Sequence, residues 1–206
     1  MNTRIGDCLN ITYHDIFGYI AGAVMIIGMF PYVHSIVVTK ETKLNRASWA
    51  IWSSIGIINL TAYFFAGEKE TIWYVIAAAV NPTILFFLSL RFGEKQWYRS
   101  DTVCLVLAAM ALVIWRLTGS PVLALIAGLV ADALGIVPTF LKVRRDPFSE
   151  NLLGWLALFT ASVCNVIAIK EWTWANGVYN VHAVSGSFLV VWFIVKGQFF
   201  SKTASR

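Results

Sequence analysis

The chain contains a segment of about 80 residues twice, the second copy starting about 106 residues after the first, and both copies are built from long apolar runs. Ile20-Ala21-Gly22-x-Val24 recurs as Ile126-Ala127-Gly128-x-Val130, and Gly28-x-x-Pro31 recurs as Gly135-x-x-Pro138. Trp49 and Asn59 recur as Trp155 and Asn165, and Lys69-Glu70 recurs as Lys170-Glu171. The small drift in offset is what loop insertions and deletions produce. Repeats within membrane segments mark many transporter folds, in which the binding site lies between the repeats.

A hydrophobic fraction of 58% over 206 residues is too apolar for a soluble domain. With roughly 20 apolar residues per crossing, seven runs stand out: 15–38, 48–66, 71–91, 102–119, 121–142, 151–169 and 174–197. They are too long for barrel strands and lack period-two alternation, so helices are expected, since helices satisfy their own backbone in lipid. Residues 1–14 are mostly polar, and no signal peptide is expected because the first run is long enough to remain as a span.

The net charge of +5 does not read as a nucleic-acid footprint once its distribution is drawn. Arg4, Lys69, Arg116 and Lys170 fall on one side of the runs. Lys40, Lys43, Arg46, Arg91, Lys95, Arg99, Lys142, Arg144, Arg145, Lys196, Lys202 and Arg206 fall on the other. Four against twelve places the second side in the cytoplasm. The N-terminus is then outside and the C-terminus inside, which requires an odd number of crossings. Lys142 to Asp146 is expected to be a solvated cytoplasmic loop.

The resulting expectation is an all-α membrane protein of seven transmembrane helices, two parallel three-helix bundles joined by a linker helix. An extracytoplasmic segment 1–14 precedes the first repeat at 15–91. The linker helix 102–119 restores parallel orientation before the second repeat at 121–197, and a cytoplasmic tail 198–206 follows. Pro31 and Pro138, at matching depth in the two repeats, are candidate hinges because proline removes a helical hydrogen bond and clashes with the preceding turn.

Polar side chains inside apolar helices need partners, so they should point into the bundle. Trp49, Trp52, Gly56, Asn59 and Tyr63 share one helical face, and Trp155, Leu158, Ser162 and Asn165 share the corresponding face of the sixth run. Trp49 and Trp155 read either as cavity residues or, for Trp49, as an interfacial belt residue. Asn59 and Asn165 read either as solute contacts or as interhelical glue. Asn81 lies mid-span beside the small run Ala77-Ala78-Ala79, and His182 with nearby Asn180 stands at the equivalent place in the seventh run. Asp132 is the one acidic residue well inside a run, on a face shared with Gly128 and Gly135. A charge there costs about 2.5–3.5 kcal/mol on insertion scales, so it is a candidate for proton coupling, with His182 able to share that role. The competing reading is a permanent buried hydrogen bond.

Cys8, Cys104 and Cys164 show no CxxC spacing, which argues against a metal site or disulfide framework. His14, Asp15 and His34 fall near run ends and are expected to be solvated. No nucleophile elbow, phosphate loop or HExxH is present, and neither catalytic residues nor a cofactor are expected.

Gly28-Met29-Phe30-Pro31-Tyr32, the basic loop Lys40 to Lys43, Ser48-Trp49 and Asn81, repeated as Gly135-Ile136-Val137-Pro138-Thr139, Lys142 to Asp146 and Trp155, resemble the PQ-loop and SWEET superfamily of small transporters. The resemblance covers nearly the whole chain and implies a 3+1+3 fold with the N-terminus outside. In sugar-carrying members, a third-span asparagine, a seventh-span asparagine and a second-repeat tryptophan hold the substrate, which maps to Asn81, Asn180 and Trp155. The chain departs at the residue after each proline, where Tyr32 and Thr139 replace glutamine, and it lacks prolines at the starts of the second and sixth runs. The expected function is alternating-access transport of a small polar solute, a sugar or similar metabolite, across a lipid bilayer. The alternatives are a proton-coupled amino-acid or vitamin transporter on the same fold, or a non-transporting receptor of the superfamily. The expected partners are that solute, lipid and, as a candidate, a second copy of the chain.

Overall fold

A computed structural model describes residues 12–66, 72–119 and 121–204. Among the described residues the chain forms seven helices and no strand. They are α1 (Tyr13–Val37), α2 (Arg46–Ala66), α3 (Ile72–Phe92), α4 (Arg99–Thr118), α5 (Pro121–Arg145), α6 (Leu152–Ile167) and α7 (Trp174–Ala204). Each coincides with one of the seven apolar runs. Five contain stretches long and apolar enough to cross a membrane: Tyr13–Val37, Trp73–Phe92, Arg99–Thr118, Ile126–Arg145 and Gly177–Phe200. The α6 helix is apolar but only 16 residues long. Large apolar side chains such as Ile27, Phe30, Phe87, Val113, Leu117 and Phe199 stand exposed on the outer surface. That is the surface a multi-pass membrane protein presents to lipid.

Helix starts follow from local chemistry. Thr12 caps α1 in a capping box with Asp15. Asn151 caps α6, its Oδ1 accepting from the Gly154 N–H at 2.8 Å. Asn45 does the same for α2 through the Ser48 N–H at 3.1 Å. Asn45 and Asn151 are themselves repeat equivalents, each four residues before the tryptophan. Between α4 and α5 the chain turns at Gly119, whose φ of +63° suits glycine. Pro31, Pro82 and Pro138 all lie inside continuous helices.

The packing repeats as the sequence does. The α3 helix packs on both α1 and α2, and α7 packs on both α5 and α6. Across the middle, α1 packs on α6 and α2 on α5, while α4 lies against α5 and α2. Apolar helices gain little from burying apolar area when the alternative is lipid, so close contact at small residues matters most. A Cβ on Gly28 would collide with Ala157 of α6, and one on Gly56 would sit 2.7 Å from the Ala78 carbonyl oxygen of α3. The small run at 77–79 therefore serves close helix approach. One on Gly135 would sit 2.6 Å from Trp52 Nε1. Gly135 is thus a seat for an indole ring.

One expectation fails near helix ends. The Lys142 to Asp146 segment is not a solvated loop, because α5 runs on to Arg145 and Lys142 is 2% exposed. Its ammonium is carried inward to a carboxylate on the next turn. Of the three residues expected to be solvated, two have partners: Asp15 pairs with Lys170 at 2.9 Å, and His14 Nδ1 lies 3.1 Å from the Ile167 carbonyl oxygen. Both contacts tie the start of α1 to the end of α6 and the segment after it. His34 is exposed.

Candidate functional site

Four rings from three helices form an edge-to-face chain in the middle of the bundle. Tyr32 and Trp49 have centroids 5.8 Å apart, Trp49 and Trp52 5.0 Å, and Trp52 and Trp155 5.9 Å. Trp49 and Trp155 are both buried. Burial removes the belt reading of Trp49, whose Nε1 has no hydrogen-bond partner.

Below the rings, at the end that carries the loops after α1, α3 and α5, lies a buried ionic hub. The Glu150 carboxylate accepts from Tyr32 Oη of α1, from Trp155 Nε1 of α6 at 3.0 Å, and from Lys142 Nζ of α5. Lys142 also donates to the carbonyl oxygens of Lys43 and Ser149. Loop meets loop directly, the Lys43 N–H donating to the Ser149 carbonyl at 3.0 Å. Asn45 Nδ2 donates to the buried Asp101 Oδ1 at 3.2 Å, and the Arg145 guanidinium lies 3.6 Å from the centre of the Tyr98 ring. These contacts tie the loops of the two repeats together at this end, called the basic end below.

Above the rings, polar groups from five helices converge. Asp132 Oδ2 of α5 lies 2.8 Å from His182 Nε2 of α7, with side-chain exposures of 29% and 23%. Tyr74 of α3 lies near Ser162 of α6, and Tyr179 of α7 near Asn59 of α2. Trp52 Nε1 reaches the Asp132 carbonyl oxygen at 3.4 Å, which joins the rings to this upper cluster. One turn before Asp132, Gly128 has open space around its Cβ position.

The candidate residues thus separate into groups. Trp49, Trp52 and Trp155 come together in one ring chain. Asp132 and His182 pair with each other, as do Asn165 and Asn180, whose carboxamides meet at 2.8 Å with Asn165 Nδ2 donating. Asn59 joins Tyr179. Asn81 stands apart, its Nδ2 donating to the Met25 carbonyl of α1 at 2.9 Å. Pro31 and Pro138 sit beside the ring chain through Tyr32 and through Thr139, whose Oγ1 donates to Ser48 Oγ at 2.9 Å. Sequence reasoning missed Glu150, Lys142 as a buried group, and Tyr74. Nothing about Glu150 in a basic loop distinguishes it from a solvated charge. Tyr74, one residue after Trp73, could have been matched with Tyr179 had the seventh run been aligned on its tyrosine instead of on Lys170-Glu171. Lys69-Glu70, on which that alignment leaned, lies outside the described residues.

Among the described residues no cluster of histidine, cysteine and acidic side chains is arranged to hold a metal. Cys104 and Cys164 are free thiols. Comparison with known proteins finds no matching family model, no matching curated protein and no matching solved structure.

Proposed function

We propose that this chain is a multi-pass membrane carrier, not an enzyme, that moves a small polar solute by alternating access between two related three-helix units. In this reading α1–α3 and α5–α7 are the two units and α4 is the linker helix of a 3+1+3 fold. The N-terminus lies outside and the basic end faces the cytoplasm. The PQ-loop and SWEET resemblance belongs to the same proposal.

The observation that supports it most is reciprocal contact between the units: Thr139, after Pro138, bonds to Ser48 of α2, and Tyr32, after Pro31, bonds to Glu150 just before α6. Groups contributed symmetrically by both halves are what a site opened first to one side and then to the other requires. The Glu150 hub and the ring chain would form the closed gate, and the Asp132 cluster the solute site above it. Trp52 and Trp155 would offer ring edges to an apolar sugar face, while Asn59, Asn165, Asn180 and His182 would offer hydrogen bonds. Asn81, held to the α1 backbone near Pro31, would couple α3 to the hinge of α1.

Two experiments test this. Uptake of radiolabelled sugars, amino acids and vitamins into proteoliposomes should be saturable for at least one class, and at least severalfold slower in Trp155→Ala. No uptake of any class by folded protein sinks the carrier reading. For topology, the native cysteines are removed and Lys40→Cys, Phe148→Cys and Trp172→Cys labelled one at a time, all three positions being exposed. Labelling of the first two from the outer face would overturn the orientation.

A further inference from the structure

The Asp132–His182 pair has a charge balance that constrains the solute. Resting on the carrier reading above, we propose that the site holds one positive charge at a time, either the proton on His182 or the protonated amine of the solute, and that the two exchange one for one.

The argument starts from what surrounds Asp132. On α3 the titratable neighbour is Tyr74, and on α7 they are Tyr179 and His182. The α2 helix presents Trp52 and Asn59, neither of which can neutralise a carboxylate. On α4, Asp101 and Arg116 lie in the first and last turns, and Cys104 is buried against Ile51, Ile55 and Ala131. The α6 helix contributes Ser162 and Asn165, with Cys164 its one titratable side chain. Among the described residues, His182 is therefore the one group placed to balance Asp132 by becoming cationic. A charge in this setting is costly unless paired.

When His182 is protonated the pair is neutral and the site has no use for a cation. When it is neutral, Asp132 is left with a hydrogen bond but no counter-charge, and an ammonium group satisfies it better than any hydroxyl. The other free polar atom nearby has the same preference. Asn165 is 5% exposed, its Nδ2 is engaged with Asn180, and its Oδ1 has no hydrogen-bond partner. Both Asp132 and Asn165 Oδ1 accept hydrogen bonds, so they ask for a solute rich in N–H or O–H donors. Trp52, whose Nε1 lies 3.4 Å from the Asp132 carbonyl oxygen, brings an aromatic ring beside the pair, which suits a cation as well. Open space at Gly128 leaves room next to the carboxylate. As the ammonium binds Asp132, the imidazolium proton passes to water on the side to which the site is open. The net result over a cycle is one amine moved one way and one proton moved the other, with no net charge.

The test uses three amines and their amine-free counterparts: ethanolamine with ethylene glycol, glucosamine with glucose, and tyramine with tyrosol. Purified protein in weak buffer is titrated with each while a pH dye reports protons released. At least one amine should bind and release a substantial fraction of a proton at about pH 6, the release falling as pH rises through the range in which His182 gives up its proton. Its neutral counterpart should bind at least tenfold more weakly at pH 8. His182→Asn should still bind the amine, with no proton release and the same affinity at both pH values. Asp132→Asn should lose about tenfold or more in affinity. Binding of none of the amines, binding without proton release at pH 6, or equal binding of amine and neutral counterpart at pH 8 would each overturn the proposal in wild-type protein, whatever the variants do. The two readings separate in proteoliposomes. Amine binding with proton release but no flux of any solute ends the carrier reading alone, whereas glucose flux with no amine binding ends only this one.

Discussion

Thr139 Oγ1 donates a hydrogen bond to Ser48 Oγ at 2.9 Å, with both side chains fully buried, so the residue after one proline is joined to the residue before the other repeat's tryptophan. The mirror relation holds in the other direction, where Tyr32, after Pro31, packs its ring on Gly154, before Trp155. Each proline helix is thereby registered against the start of the opposite tryptophan helix. The two contacts use different chemistry, a hydroxyl pair in one and a ring on a bare backbone in the other.

Thr139→Val and Ser48→Ala should each destabilise the protein by about 1–3 kcal/mol, since each leaves a buried hydroxyl without its partner. The double variant should cost less than the sum, because it removes both groups at once. Thermal unfolding of the four proteins in one detergent measures the coupling, and strict additivity would show that the bond contributes nothing.

Glu150→Ala strands the Lys142 ammonium among buried groups, and should destabilise by about 3–5 kcal/mol. Lys142→Met combined with Glu150→Gln should recover much of that loss, because the glutamine can still accept from Tyr32 and Trp155. Denaturation midpoints of the single and double variants check this; a double variant no better than Glu150→Ala would show that the ion pair is not what holds the hub.

Trp155→Phe keeps a six-membered ring to meet Trp52 and removes the pyrrole ring whose N–H binds Glu150 at 3.0 Å. If the carrier reading is right, its solute affinity should stay within about threefold of wild type while its transport rate changes more, since the lost bond belongs to the closed end. Trp155→Ala should lower both. Initial rates over a range of solute concentrations separate the two effects, and equal loss of affinity in both variants would place the N–H at the solute.

Glu94 lies in the loop after α3, with one carboxylate oxygen buried and unpartnered, and burial pushes its pKa above the usual value. A folded-state pKa above the unfolded one means the protonated form is favoured by folding. Its stabilising effect is therefore complete at acid pH, below the unfolded value, and is lost as pH rises through the folded value. Glu94→Gln should raise the melting temperature at pH 7.5 and leave it nearly unchanged at pH 4. A larger gain at pH 4 than at pH 7.5 would contradict that sign.

The seven helices were legible because runs of about 20 apolar residues leave a chain in lipid no alternative to helix, and every run found its helix. The repeat also carried into space, through Gly28 and Gly135 at the cross-contacts and Asn45 and Asn151 at the caps. What stayed hidden was pairing. Asn165 read either as a solute contact or as interhelical glue and Asn180 as a solute contact, and a one-dimensional reading could not show that they bond to each other. Asp132 and His182, 50 residues apart, were each singled out, and the sequence named them as sharing one role without placing them in contact. Lys142 was misread because charge at a helix end in a basic loop usually means solvent, and only the fold brings Glu150 under it.

The Lys142–Glu150 hub exists in one copy. In the first repeat Ser35, the counterpart of Lys142, has its Oγ 2.6 Å from Thr42 Oγ1, a neutral contact where the second repeat has an ion pair. A second repeat expressed by itself would lack the Tyr32 hydroxyl that completes Glu150, and two second repeats paired together would face each other with duplicated charge and no tyrosine. Two first repeats would have no ionic centre at all. The halves that arose as copies have thus become lock and key, and neither can any longer stand in for the other.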